Sequence, residues 1–299
     1  MRMRLNVSIV AGPASSELGD KLASALSLTP LKSQHKIFPD GESYFRFLER
    51  PKPTVILVQG THPPQDKHLN QLLLMAAGLK DLGASRILAV VPYLAYARQD
   101  KAFLEGEVVS LKVILRLIRS AGVDELLTVN PHAPWALKES QLRTHSLSVA
   151  RALASNLKMR GWRVSYVVSP GKKGMELATE VSRELDAEPL KAESWRDPDT
   201  GQVRVTIEDG GRFQGEDVLV IDDVVSSGGT MSGLVRKLKL AGAATVYASC
   251  IHGLFMGDSD RRILDAGATV IISTNTVPCK YADVDVSSEI ASYLTQLIP

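Results

Sequence analysis

Val218-Leu-Val-Ile-Asp-Asp-Val-Val-Ser-Ser-Gly-Gly-Thr-Met231 is the stretch whose reading decides the fold. Its first four residues form a continuous apolar run, which suits a strand buried on both faces of a parallel sheet. Asp222 and Asp223 follow, then Ser226, Ser227, Gly228, Gly229 and Thr230, and then an amphipathic stretch from Ser232 to Leu240. The order is strand, acidic pair, glycine-rich turn, helix. Open α/β sheets bind ligands just beyond the carboxyl ends of their strands. Glycines let a turn close its backbone N–H groups around a phosphate, and the helix that follows adds the positive end of its dipole. The acidic pair cannot hold a phosphate directly; it suits sugar hydroxyls, or magnesium through water. The stretch is not a Walker A loop, because it has no Gly-Lys-Ser/Thr. The plainer alternative is a tight βα turn whose Asp residues cap the helix.

Outward from this stretch the chain alternates strand and helix. In the first half, strands are expected at Leu5–Val10, Thr54–Gln59, Arg86–Pro92 and Leu126–Val129. Helices are expected from about Ser15 to Ala25, from His68 to Leu82 and from Val108 to Ser120. Leu69, Leu72, Leu73, Ala76 and Leu79 form an apolar stripe at helical spacing. Lys36 to Arg46 centres on Pro39-Asp40-Gly41, turn chemistry that reads most simply as a hairpin tip. The alternation restarts near residue 144, with a helix at Leu147–Lys158, a strand at Val164–Val168 and a helix at Met175–Leu185. Lys191 to Gln202 is polar and carries Pro198 and Gly201, which argues for a turn or mobile loop. Strands at Val203–Ile207, Asp217–Ile221, Thr245–Ile251 and Thr269–Ser273 and a last helix at Ser287–Leu297 complete the chain. Alternation of this kind implies parallel sheets with helices on both faces. The pattern predicts two α/β domains, 1–143 and 144–299, alike in architecture and without a residue-level repeat.

Composition sets bounds. The chain has 299 residues, 44% of them hydrophobic, so two cores of ordinary size can form. With 35 basic and 33 acidic residues the formal charge is +2, which gives no sign of nucleic-acid binding. Cys250 and Cys279 have no metal-ligand spacing, and a reducing cytoplasm is the default expectation. No apolar stretch reaches membrane-spanning length.

Four segments carry a resemblance. The run from Asp222 to Thr230 resembles the phosphoribosyl-diphosphate loop of the type I phosphoribosyltransferase fold. Taken with Phe38-Pro-Asp-Gly-Glu42, Pro92-Tyr-Leu-Ala-Tyr-Ala-Arg-Gln-Asp100 and Asn130-Pro-His132, its order and spacing resemble the ribose-phosphate diphosphokinase family, especially its archaeal forms. The likeness covers nearly the whole chain, and Tyr93 to Asp100 is its most specific part. It implies two phosphoribosyltransferase-like domains and transfer of the β,γ-diphosphate of ATP to O1 of ribose 5-phosphate, with AMP leaving and Mg2+ required. It also implies a cytoplasmic homo-oligomer.

By the same resemblance, Phe38, Asp40 and Glu42 reach adenine, often from a neighbouring subunit, and Arg98, Gln99 and Asp100 hold ATP. Asp222, Asp223, Ser226, Ser227, Gly228, Gly229 and Thr230 hold ribose 5-phosphate, His132 associates with the metal, and Arg196 acts in catalysis, with Lys191 as its candidate partner. The residue types suit these roles. Diphosphoryl transfer depends on positioning and charge stabilisation, and an arginine can fork onto phosphate where a lysine offers only a point charge. Arg98 paired to Asp100 or Glu105 on the surface, and His132 as an ordinary structural histidine, are the plain alternatives.

The sequence departs from the family pattern twice. Gly171 stands where the family has an aspartate after the strand at Val164–Val168, and Ser194 stands where it has a catalytic-loop lysine. Lys172 and Lys173 are further candidate cations. A silent or weak subunit of an active paralogue, in a hetero-oligomer, is therefore the alternative to an active enzyme. A phosphoribosyltransferase that consumes the activated sugar fits less well, since it would be a single domain without the Arg98–Asp100 segment.

Overall fold

The computed structural model describes residues 6–102, 104–196, 203–208 and 210–298. The chain divides into two compact units, 1–147 with 287–299, and 148–286. The first unit contains β1 (Val7–Ala11), α1 (Ser16–Ala25), β2 (Ser33–Ile37), β3 (Ser43–Phe47), β4 (Thr54–Val58), α2 (Gln65–Asp81), β5 (Arg86–Val91), α3 (Ser110–Ser120), β6 (Glu125–Val129), α4 (Pro134–Lys138) and β7 (Arg143–Leu147). The second contains α5 (Ala150–Met159), β8 (Tyr166–Ser169), α6 (Met175–Leu185), β9 (Glu188–Lys191), β10 (Glu193–Arg196), β11 (Val203–Thr206), β12 (Asp217–Val225), α7 (Gly229–Leu240), β13 (Thr245–Gly253), α8 (Ser259–Asp265) and β14 (Val270–Ser273). The last helix, α9 (Ser287–Leu297), belongs to the first unit.

Each unit is built on a five-stranded parallel sheet, as the alternation implies. In the first the order is β1-β4-β5-β6-β7, so successive parallel strands are always neighbours. β2 and β3 pair antiparallel as a separate hairpin, with Ile37 opposite Ser43. The central strands are buried throughout, Val55–Val58 and Ile87–Val91 among them, which is why their sequences read as unbroken apolar runs. Of the stripe on α2, Leu69, Leu72, Ala76 and Leu79 are buried in this core together with Met75, while Leu73 packs partly buried against it.

The second sheet runs β14-β13-β12-β8-β9. From β8 the chain steps outward to β9, then returns to lay β12 on the opposite side of β8. The winding reverses there, so the carboxyl ends of β8 and β12 flank a topological switch point, where sheets of this type leave a crevice for ligand.

Three expectations shift. The first unit ends after Leu147 instead of residue 143, because Arg143–Leu147 forms β7, pairing with β6 from Glu125↔Arg143 to Val129↔Leu147. The last helix returns to the first unit instead of completing the second, held by Arg86 Nη2 donating to the Leu297 carbonyl at 3.1 Å and by the His145–Tyr293 ring contact. The start of the interval expected as a loop is a strand. β10 pairs with β11, and the buried Val205 packs at α7, its Cγ2 3.2 Å from where a Cβ on Gly233 would stand. Residues 197–202, the rest of that interval, lie outside the described residues.

Buried Glu125 ties several of these elements together. Its Oε1 accepts from Arg86 at 2.9 Å and 2.5 Å, and its Oε2 lies 2.9 Å from His145 Nε2 and 3.4 Å from Arg143. Burial pushes this carboxyl up, and hydrogen bonds from His145 and Arg86 with the charge of Arg143 more than offset it, so the folded pKa lies below the ordinary value. Glu125→Ala removes the buried partner of Arg86, Arg143 and His145 and is expected to cost roughly 3 kcal/mol, read as a lower Tm. Because the folded pKa is depressed, the wild-type contribution is present above the ordinary glutamate pKa and is lost as pH falls through the folded value. The Tm difference between wild type and variant should therefore shrink in acid, and a constant difference would contradict the assignment.

Candidate functional site

In the second unit the candidate residues gather around the switch point. β12 does not stop at Ile221 as expected but continues to Val225, because Val224 and Val225 are buried and Asp222 and Val224 stay paired with Cys250 and His252 of β13. Asp222 and Asp223 are thus strand residues, half-buried, rather than members of the turn. Asp222 Oδ1 accepts from the N–H of Asp223 at 2.9 Å, and Asp223 Oδ1 accepts from the N–H of Val224 at 2.8 Å.

Ser226 to Gly228 form the turn, and α7 starts at Gly229. Gly228 sits at φ +73°, and a Cβ there would stand 2.9 Å from the Ser259 carbonyl oxygen. The turn is held from outside by Arg262, whose Nη2 donates to the Ser227 carbonyl at 2.8 Å. The N–H of Met256 also donates to the Ser226 carbonyl, at 3.0 Å. The first N–H groups of an α-helix have no acceptor within the helix, so this end of α7 is suited to an anion.

The loop after β8 forms the other wall. Ser169 Oγ donates to the Gly171 carbonyl at 2.8 Å. A Cβ on Gly174 would stand 2.4 Å from Ser169 Oγ and 3.7 Å from Asp222 Oδ1, so the loop passes beside the acidic pair only because residue 174 has no side chain. A Cβ on Gly171 would stand 3.8 Å from Ser194 Oγ. The two departures from the family pattern are therefore neighbours in space. Lys191 pairs with Ser169 at the end of β9, and its Nζ lies 3.5 Å from Glu193. Arg196 ends β10, and its side chain lies outside the described residues.

In the first unit, Tyr93–Asp100 and Asn130–His132 follow the adjacent strands β5 and β6. Leu94, Ala95 and Ala97 are buried and anchor the first segment, while Arg98 is exposed. Thr61, just past β4, fixes the loop through its hydroxyl, which donates to the Tyr93 carbonyl at 3.0 Å and accepts from Ala95 N–H at 2.8 Å. Gln99 Nε2 donates to Glu107 at 3.3 Å. Among the described residues Arg98 makes no ion pair with Asp100 or Glu105. Asp100 is instead bound by Trp135, whose indole N–H donates to Oδ2 at 2.9 Å. Its Oδ1 is buried and has no partner among the described residues.

Trp135 was missed in the sequence. Pro134 after Asn130-Pro-His132 was the available signal, since proline favours the first position of a helix, here α4. Phe38 to Glu42 form the tip of the β2–β3 hairpin, as the plain reading has it. The Phe38 N–H donates to the Glu42 carbonyl at 2.8 Å, the Gly41 N–H to the Phe38 carbonyl at 2.9 Å, and Gly41 takes φ +97°.

Among the described residues no cluster of three or more His, Cys, Asp or Glu is arranged to hold a metal, and no helix is long and apolar enough to cross a membrane.

Two parallel α/β units, one with a switch-point crevice closed by the turn at residues 226–228, define a protein of the phosphoribosyltransferase type. Residues 140–286 match the family model of the phosphoribosyl transferase domain, and residues 7–122 match that of the N-terminal domain of ribose phosphate pyrophosphokinase. Ribose-phosphate pyrophosphokinase of Sulfurisphaera tokodaii is 36% identical over 95% of this chain and 98% of its own. That of Methanobrevibacter smithii is 34% identical over 96% and 99%. The crystal structure of phosphoribosylpyrophosphate synthetase from Mycobacterium smegmatis superposes with a TM-score of 0.86, at 25% identity, over 98% of each chain. The chain belongs to the ribose-phosphate pyrophosphokinase family.

The Gly228 geometry yields a direct test. Gly228→Ala forces a side chain into a left-handed conformation and against Ser259, at an expected cost of about 1–2 kcal/mol. Calorimetric titration with a phosphate monoester should show weakened binding together with the lower Tm. Unchanged values of both would mean that the turn does not have the role its geometry suggests.

Proposed function

We propose that the chain transfers the β,γ-diphosphate of ATP to O1 of ribose 5-phosphate, giving phosphoribosyl diphosphate and AMP. The observation that carries the reading is the crevice at the ends of β8 and β12, where the half-buried acidic pair stands beside an anion-suited helix start. Backbone N–H groups from Ser226 to Thr230 hold the 5-phosphate, and Asp222 and Asp223 accept hydrogen bonds from ribose hydroxyls. Arg98 forks onto the ATP phosphates. Asp100, fixed by Trp135 and left with one buried acceptor oxygen, takes a donor from the nucleotide or from metal-bound water. Gln99 and the hairpin tip Phe38, Asp40 and Glu42 complete the nucleotide contacts. The O1 hydroxyl oxygen attacks the β-phosphorus and its proton passes to solvent, the bond from the β-phosphorus to the α,β-bridging oxygen breaks so that AMP leaves with that oxygen, and Arg196, with Lys191, stabilises the developing charge.

The residues present fit Mg2+. The half-buried carboxylates of Asp222 and Asp223 are hard oxygen donors, His132 is the metal-associated histidine of the family pattern, and magnesium keeps several waters and binds substrate phosphates instead of requiring an all-protein cage. When bound, it neutralises phosphate charge. A cytoplasmic homo-oligomer is part of the same proposal.

A second reading, a silent subunit that partners an active paralogue, is favoured by the departures at Gly171 and Ser194, where an anion and a cation of the family pattern are missing. Purified protein assayed for AMP formation separates the two: turnover that depends on ribose 5-phosphate is expected, and its complete absence favours the silent subunit.

Three sets of variants extend the test. Asp222→Ala and Asp223→Ala should each weaken ribose 5-phosphate binding about tenfold or more, the worth of a charged hydrogen bond, with circular dichroism unchanged; calorimetry measures it. Arg196→Ala should lower turnover about 100-fold while ATP affinity changes little, and full activity in this variant would remove Arg196 from catalysis. Gly171→Asp and Ser194→Lys place opposite charges within reach of one another, so their effects on Tm should couple by about 0.5–1 kcal/mol in a double-mutant cycle. Additive effects would mean that the two positions do not meet.

A further inference from the structure

The hairpin formed by β2 and β3 is a two-stranded ribbon outside the main sheet. Such a ribbon is marginal by itself, and every residue of β2 is exposed. Its base is tied down by the Leu31 N–H donating to the Ile9 carbonyl at 2.7 Å and by Phe45 and Phe47 packed on the core. Nearer the tip one side chain reaches it from the body. Gln71 on α2, fully buried, donates from Nε2 to Ser43 Oγ at 3.1 Å and lies 3.3 Å from His35 Nε2. Ser43 directly follows Glu42, and His35 stands on the opposite strand.

The direction of this contact is dictated from the other end. The Ala14 backbone N–H can only donate, and it donates to Gln59 Oε1 at 3.1 Å. Gln59 must therefore present its amide nitrogen to Gln71, and Gln59 Nε2 donates to Gln71 Oε1 at 3.2 Å. That leaves Gln71 Nε2, with its two N–H groups, for the hairpin. Gln59 is itself locked in place, because Gly12 lies so close that a Cβ there would stand 2.2 Å from its Oε1. His35 accepts only as the neutral imidazole, and the slight desolvation of its ring against the body, with the charge of Lys67, lowers its pKa in that direction.

We propose that Gln71 is a positioning residue, the end of a fixed hydrogen-bond relay from Ala14 through Gln59, that holds the hairpin so that Phe38, Asp40 and Glu42 meet the nucleotide. The proposal rests on the reading of that tip as a nucleotide contact.

The test uses Gln71→Met, which keeps the volume and removes the bonds, and the ribbon pair Ser43→Ala with His35→Phe, which removes the same bonds from the ribbon side. Ser43→Thr restores the hydroxyl and should behave as wild type. Hydrogen–deuterium exchange of residues 33–47 in the full chain is expected to quicken about tenfold, the loss of two modest hydrogen bonds. KM for ATP should rise by a similar factor, with kcat and KM for ribose 5-phosphate within about twofold of wild type. Unchanged exchange in Gln71→Met, or in the ribbon pair if that variant does not fold, overturns the latch. Phe38→Ala separates the remaining outcomes. If it raises KM for ATP and the latch variants do not, the nucleotide reading stands and Gln71 positions nothing. If neither raises it, the tip does not meet nucleotide and the proposal falls with that reading.

Discussion

The close approach of backbone at Gly174 and Gly228 is the constraint on which the second unit depends. At each position a single methyl carbon would collide, with Ser169 in one case and Ser259 in the other. The loop after β8 can pass beside Asp222 only because residue 174 leaves room for Ser169. The turn after β12 can present the start of α7 only because residue 228 takes a left-handed conformation at little cost. The reversal of strand order makes the crevice and the glycines shape its walls. The first sheet has no such reversal. Its strands are laid down in order, and its candidate residues sit on loops after β5 and β6 and on a hairpin that must be held by other means.

Much of this was legible in the sequence for a plain reason. Parallel strands are buried on both faces, so Val55–Val58, Ile87–Val91 and Val218–Ile221 announce themselves as short apolar runs, and the stripe on α2 has helical spacing whatever it packs against. The β2–β3 hairpin was legible because Pro39-Asp40-Gly41 is local turn chemistry, which needs no tertiary partner to be recognised.

The illegible features depended on distant partners. β12 runs through two carboxylates that no apolar pattern would include, and it does so because β13 continues the ladder beside them. β10 pairs with β11 across an interval whose proline and glycine suggested only a loop. The return of α9 to the first unit rests on Arg86, more than two hundred positions earlier and itself bonded to Glu125. The candidate site divides in the same way. Residues within a motif that resembles the family, such as Arg98, Asp222 and Gly228, could be named as candidates from that resemblance. Trp135, which binds Asp100, and Gln71, which binds the hairpin, could not, because an indole or an amide on a helix has no local signature of the group it will meet.

The same distinction bears on how the departures at residues 171 and 194 should be weighed. In the sequence they are separate losses on separate loops, and each counts against activity. In space they are neighbours, and that changes their electrostatic meaning. An aspartate and a lysine at contact distance would largely neutralise one another until a substrate or metal intervened. Removing both leaves the local charge balance as it was, whereas removing one would leave a lone charge at that spot. The joint change is thus the one that disturbs the local electrostatics least.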